Sequence, residues 1–240
     1  MNTILLLMMG GSGTRMGANI PKQYIEVGGK PVFCHIVEAY MQMQEISMIV
    51  IVSHKDWITF AEEHIAKIPF CCPVKIVAGG DSRSESVRNG LHAAEDIAEP
   101  EDVVLIHDAT HPYVDKRGTL EVIRAVQETG GATLGAYQYD TCYRIDADNM
   151  IQDVVPRKEL VSGASPEAFR YGDISRVYFT ASEEELLNMT SAGAIALAHG
   201  IPMKVIPANV LNLKLTYPGD LNLFQLLEET YFFGKDKERQ

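Results

Sequence analysis

Apolar residues along the chain gather in short, nearly unbroken runs. Ile4–Met9, Met48–Val52, Val74–Val77, Val103–Ile106, Ala132–Ala136 and Met203–Pro207 are rich in aliphatic and β-branched side chains, which predicts strands. Continuous apolar runs, unlike alternating ones, belong to strands buried on both faces, and the stretches between them carry helical periodicity. The pattern predicts a doubly wound α/β fold with a mostly parallel sheet.

Two helices have legible ends. Ser82 with Glu85 three residues later predicts a capping box, and Val87, Leu91 and Ala94 then share one face. A second helix, Thr119 to Glu128, stops before Gly130-Gly131, a pair suited to a left-handed turn. Between Gln138 and Pro156, two polar-alternating runs flank Asp146-Ala147-Asp148-Asn149, which predicts a β-hairpin arm projecting from the core.

Composition narrows the function classes. The 240 residues, 46% hydrophobic and 22% charged, contain no Pro/Ser-rich linker, so 1–240 reads as one domain with 138–156 as an arm within it. A net charge of −11 argues against non-specific nucleic-acid binding, which needs a basic surface, so any nucleotide site must be locally basic. Cys34, Cys71, Cys72 and Cys142 lack C-x-x-C spacing and read as reduced thiols of a cytoplasmic protein. The apolar run 4–9 is far shorter than the ~20 residues of a membrane span and reads as a buried first strand.

Candidate chemistry begins directly after that strand, at Gly10-Gly11-Ser12-Gly13-Thr14-Arg15-Met16-Gly17, followed by Pro21-Lys22-Gln23. Glycines there let the backbone turn sharply and point successive N–H groups at an anion. The dinucleotide fingerprint fails because Met16 stands where its third glycine belongs, and the Walker A loop fails because Thr14-Arg15 follows Gly13. What remains is a glycine loop with two added cations, Arg15 and Lys22, close enough in sequence to converge on one triphosphate. A bare structural turn would explain the glycines but not the cations. Asp108, just past the strand Val103–Ile106, sits where open α/β sheets place ligand contacts and is a candidate Mg²⁺ ligand; the competing role is a helix or turn cap for the following segment.

The runs Gly10–Gly17, Pro21–Tyr24, Gly79–Leu91, His107–Val114 and Asn212–Leu221, in this order, resemble the methylerythritol phosphate and ribitol phosphate cytidylyltransferase family. The likeness spans about Ile4 to Leu221 and implies a Rossmann-like nucleotidyltransferase fold and a homodimer. It implies that Gly10, Gly11, Ser12 and Gly13 cradle the CTP phosphates, with Arg15, Lys22 and Lys214 as catalytic cations and Asp108 holding Mg²⁺. It further implies that Gly79, Gly80, Asp81 and Ser86 meet the cytosine, that Arg83 supports their turn, and that Thr141, Arg157 and Thr190 serve the acceptor phosphate, partly across a subunit boundary.

The chain departs from the family pattern on the acceptor side. His111 replaces the arginine of Ala-Ala/Val-Arg-Pro, exchanging a guanidinium fork for an imidazole mostly neutral near pH 7. Gln-Thr-Pro-Gln becomes Ala164-Ser165-Pro166-Glu167, and Thr-Asp-Asp/Glu-Ala becomes Thr190-Ser191-Ala192-Gly193, removing two carboxylates. The expected activity is transfer of CMP from CTP to a small polyol phosphate, leaning towards ribitol 5-phosphate, with 2-C-methyl-D-erythritol 4-phosphate as the alternative. A transferase for another nucleotide with a hexose phosphate, and a non-catalytic nucleotide-binding relic, are the competing readings; a relic has no need for Arg15, Lys22, Asp108 and Lys214 together.

Overall fold

The structure, a computed structural model, describes residues 1–11, 20–208 and 212–227. In chain order the elements are β1 (Thr3–Met9), β2 (Glu26–Val27), β3 (Lys30–Pro31), α1 (Val32–Met41), β4 (Ile46–Ser53), α2 (Ile58–Ile65), β5 (Val74–Ala78), α3 (Arg83–Ala94), β6 (Val103–Asp108) and α4 (Lys116–Thr129). They continue with β7 (Gly131–Tyr137), β8 (Cys142–Ile145), β9 (Ile151–Val155), β10 (Val161–Arg170), α5 (Tyr171–Thr180), α6 (Glu183–Asn188), α7 (Ala192–Ala198), β11 (Met203–Pro207) and α8 (Pro218–Leu227).

Seven strands form one sheet in the order β11-β7-β10-β6-β1-β4-β5. β1 is parallel to β4 and β6, β4 to β5, and β11 to β7. All six strands expected from the sequence are present within a residue or two of the predicted ends. The seventh, β10, was not expected: it runs antiparallel between β6 and β7, so the sheet is mixed at its centre. Its sequence, VSGASPEAFR, hides it. Pro166 cannot donate to a ladder, and the register shifts between Ala164 and Glu167 to pass it.

Every residue of β1 is buried, and its side chains alternate between two cores. Leu5, Leu7 and Met9 pack with Phe33, Ile36 and Tyr40 of α1 and Val122 and Val126 of α4. Ile4, Leu6 and Met8 pack on the other face with Val87 and Leu91 of α3 and Ile174 and Tyr178 of α5. Each such aliphatic side chain contributes about 1.5–3 kcal/mol on burial, so an uninterrupted apolar strand is what a sheet covered on both faces demands.

Helix ends follow their caps. Ser82 accepts the Glu85 N–H at 3.0 Å, but the Glu85 carboxylate returns to the Asp81 N–H at 2.8 Å and not to Ser82 itself, a box shifted by one residue. Gly130, at φ 88°, ends α4 in the left-handed conformation that its lack of a Cβ permits. β8 and β9 pair as a separate two-stranded antiparallel sheet, the expected hairpin. At its tip Asp146 accepts the N–H groups of Asp148 and Met150, both at 3.0 Å, and Asn149 takes φ 62°.

Candidate active site

Chain direction sets the position of the site. From β1 the sheet grows one way through β4 and β5, then restarts with β6 on β1's other side, so the strand order reverses between β1 and β6. Ligands of open α/β sheets bind outside the carboxyl ends at such a reversal. The glycine run leaves β1 there, and Asp108, opposite Met8 in the ladder, ends β6 there.

Gly10, Gly79 and Ser86 lie together at this edge. Gly79 N–H reaches Ser53 O at 2.7 Å, and a Cβ on Gly79 would stand 2.8 Å from Ser86 Oγ, so only glycine lets the β5 turn close against α3. Ser86 Oγ accepts Gly80 N–H at 3.0 Å and donates to Ser82 O at 2.8 Å. Its proton is thus engaged within the turn, and it has a lone pair, not a donor, left for a base. Gly80 and Asp81 complete the turn, with Asp81 exposed. Gln23 Nε2 braces the outgoing loop by donating to Met9 O at 2.7 Å and Gly11 O at 2.8 Å. Ser12, Gly13 and Arg15 lie outside the described residues.

Arg83 does not stay with its turn. Its Nη2 donates to Asp108 Oδ1 at 3.1 Å and lies 3.5 Å from Glu167 Oε2, and its Nη1 is buried without a partner among the described residues. The guanidinium therefore joins α3, β6 and β10. Burial opposes its charge, but Asp108 and Glu167 more than offset that. Burial would likewise raise the Asp108 carboxyl, yet Arg83 and Lys214 hold it below the usual carboxylate range. Among the described residues no backbone N–H hydrogen-bonds to the Asp108 carboxylate, whose partner is Arg83. Glu167, which the sequence offered only as a departure from a motif, accepts Ala192 N–H at 3.2 Å and Gly193 N–H at 2.9 Å at the start of α7. One carboxylate is therefore restored where two were missing.

Two lysines converge on the same edge. Lys22 Nζ donates to Leu215 O, and Leu215 N–H donates to Thr110 O at 2.8 Å, which ties the Lys22 segment, the Asp108–His111 loop and the Lys214 strand of chain together. Both lysines act electrostatically on His111, and Lys214 also on Asp108. His111 is 8% exposed, with Nδ1 3.0 Å from Ser165 Oγ. Burial first, then His107 and Lys214, push its imidazole down to about 3, so it is neutral at working pH. Beneath it, His107 Nε2 lies 2.8 Å from His111 O, which only accepts, so that nitrogen carries the proton and Tyr40 O–H donates to Nδ1 at 2.8 Å.

The remaining candidates stand apart. Thr190 is exposed on the turn before α7, Thr141 is exposed on the arm, and Arg157 is exposed just past the arm's end, where its Nη1 donates to Tyr139 O. No hydrogen bond or ion pair among the described residues joins these three to Asp108.

A glycine turn, paired lysines and a carboxylate at the reversal point of an α/β sheet are the equipment of a nucleotidyltransferase. Residues 3–229 match the family model described as IspD, 2-C-methyl-D-erythritol 4-phosphate cytidylyltransferase, and the chain belongs to that family. A relative from Thermotoga neapolitana carrying that enzyme name is 33% identical over 95% of this chain and 97% of its own. A ribitol-5-phosphate cytidylyltransferase of Streptococcus agalactiae is 28% identical over 95% of both chains. A crystal structure titled 4-diphosphocytidyl-2C-methyl-D-erythritol synthase superimposes with a TM-score of 0.78 at 25% identity, covering 94% of this chain and 98% of that one.

Proposed function

We propose that the protein transfers CMP from CTP to a small polyol phosphate, with ribitol 5-phosphate as the acceptor. In the reaction a phosphate oxygen of the acceptor attacks the α-phosphorus of CTP, the bond to the β-phosphate oxygen breaks, and pyrophosphate leaves. No protein nucleophile is required; alignment and positive charge are. The observation that carries the reading is the meeting of Lys22, Lys214 and Asp108 beside the glycine turn.

In this reading the backbone N–H groups of the glycine loop receive the triphosphate, Arg15 and Lys22 neutralise it, and Lys214 steadies the acceptor phosphate against the repulsion of the nucleotide. The turn at Gly79–Asp81 holds the cytosine close to the backbone. A single carboxylate, Asp108, together with substrate phosphate oxygens and water, is a donor set that suits Mg²⁺. The metal would supply further neutralisation of the charge that builds on the phosphates.

His111 supports ribitol 5-phosphate: a buried, neutral imidazole gives the acceptor phosphate no fork, so the native acceptor must gain contacts through its hydroxyls. The second reading, 2-C-methyl-D-erythritol 4-phosphate, is favoured by the family description and by the 30–33% identity of relatives with that name.

The arm extends the reading to a homodimer. Tyr139 is 81% exposed, and the cross-strand pairs Tyr143–Val154 and Ile145–Ile151 are exposed as well. A two-stranded hairpin is marginal alone in water, so this apolar surface is suited to a second copy, whose acceptor site Thr141 and Arg157 would then reach. Action in the cytoplasm accords with four free thiols and a CTP substrate. Pyrophosphate release from CTP, measured against a panel of polyol phosphates, tests the whole reading: activity with neither acceptor would overturn it.

A further inference from the structure

Arg83 is shared unequally between two carboxylates. Asp108 holds it at 3.1 Å and Glu167 at 3.5 Å, and all three groups are partly buried. Resting on the reading of Asp108 as the Mg²⁺ ligand, this creates a competition: the guanidinium engages Asp108 Oδ1, so a cation has to share the same carboxylate charge with it. A largely buried guanidinium that loses its nearer counter-charge is disfavoured, so Asp108 would be a poor ligand if Arg83 had no second carboxylate to turn to.

Glu167 supplies that place. Its carboxylate is fixed by two backbone N–H groups of α7, Ala192 at 3.2 Å and Gly193 at 2.9 Å, and so keeps its position whether or not Arg83 leans on it. We propose that Glu167 is a positioning residue that receives the Arg83 guanidinium when Asp108 turns to a divalent cation. Only a small shift of Arg83 is required, from the 3.1 Å contact towards the 3.5 Å one. The glutamate does not touch substrate; it governs how readily Asp108 is released.

Glu167→Gln keeps the size and the carbonyl oxygen facing Gly193 while removing the charge. Calorimetric titration of CTP at graded Mg²⁺ concentrations, without acceptor, should show the Mg²⁺ requirement for tight CTP binding rising roughly 10-fold, the scale of one charge-assisted hydrogen bond. Glu167→Asp, which keeps the charge, should stay near wild type. In an Arg83→Gln background the Glu167→Gln shift should vanish, because there is no guanidinium to receive. A folded Glu167→Gln protein with an unchanged Mg²⁺ requirement, or a shift that persists without Arg83, overturns the proposal. Mg²⁺-independent CTP binding by the wild type overturns the metal reading beneath it.

Discussion

Gly193 donates its N–H to Glu167 Oε1 at 2.9 Å, and a Cβ on residue 193 would stand 2.7 Å from that same oxygen. The two residues are the ends of two separate departures from the family pattern, and the contact explains them jointly. A Cβ at 193 would push the Glu167 carboxylate away from the α7 amides it accepts from. Gly193→Ala should therefore cost about 1–3 kcal/mol in urea denaturation, the range of an overpacked site. With Glu167→Ala already made, most of that cost should disappear, leaving the adjustment of the flexible Met203 side chain 3.0 Å away. Equal costs in both backgrounds would dissolve the link between the two positions.

Lys22 and Lys214 offer the most direct test of the chemistry. Lys22→Ala and Lys214→Ala should each lower kcat by on the order of 10²-fold, because fixed cations stabilise charge that grows in the transition state; Arg15→Ala should do the same. Steady-state rates of pyrophosphate release measure this, and wild-type turnover in the lysine variants would remove them from the site. Asp108→Asn should instead raise the Mg²⁺ requirement.

The sheet was largely legible in the sequence because each buried parallel strand must be apolar on both faces, and Leu5 and Leu6 cannot be solvated from either side. β10 was not, since its ladder tolerates Gly163, Ser165 and Pro166 by shifting register. The same limit applies to the site. Strand ends gave the positions of the glycine turn and Asp108. The reach of Arg83 to residues 25 and 84 positions away depends on how α3 and β10 pack on β6, which no local pattern encodes.

The arm should separate assembly from folding. Tyr143 and Ile151 are 52% and 60% exposed on a hairpin outside the main sheet, so Asp at both positions should leave the protomer folded. Sedimentation at micromolar concentration should find a dimer for the wild type and a monomer for Tyr143→Asp/Ile151→Asp. A monomeric wild type would argue against a subunit-exchanging arm.

The buried histidines should make the protein acid-sensitive well above the carboxylate range. His107 is lowered by burial from 6.5 to about 4 and His111 to about 3, so each is neutral in the fold and binds a proton more readily when unfolded. Their contribution is therefore full above pH ~6.5 and is lost as the pH falls from there towards 4 and 3, at roughly 1.4 kcal/mol per pH unit for each proton. Urea midpoints in EDTA between pH 7.5 and 5 should fall steeply, and about half as steeply for His111→Asn. An unchanged slope in that variant would mean that His111 is not held neutral.

His111 also provides the test of acceptor choice. Its ring is buried against Ser165 and flanked by Lys22 and Lys214, so it contributes shape and at most a neutral hydrogen bond where a guanidinium would contribute charge and a fork. Loss of one charge-assisted interaction typically costs ~1.5–3 kcal/mol, or roughly 10- to 150-fold in affinity. An acceptor that binds mainly through its phosphate suffers most from that loss, and one with more hydroxyls suffers least. The wild type should accordingly prefer ribitol 5-phosphate over 2-C-methyl-D-erythritol 4-phosphate in kcat/KM, and His111→Arg should narrow or reverse that ratio. If the ranking of acceptors is the same in both proteins, or if the wild type already favours the methylerythritol phosphate, His111 does not set the choice.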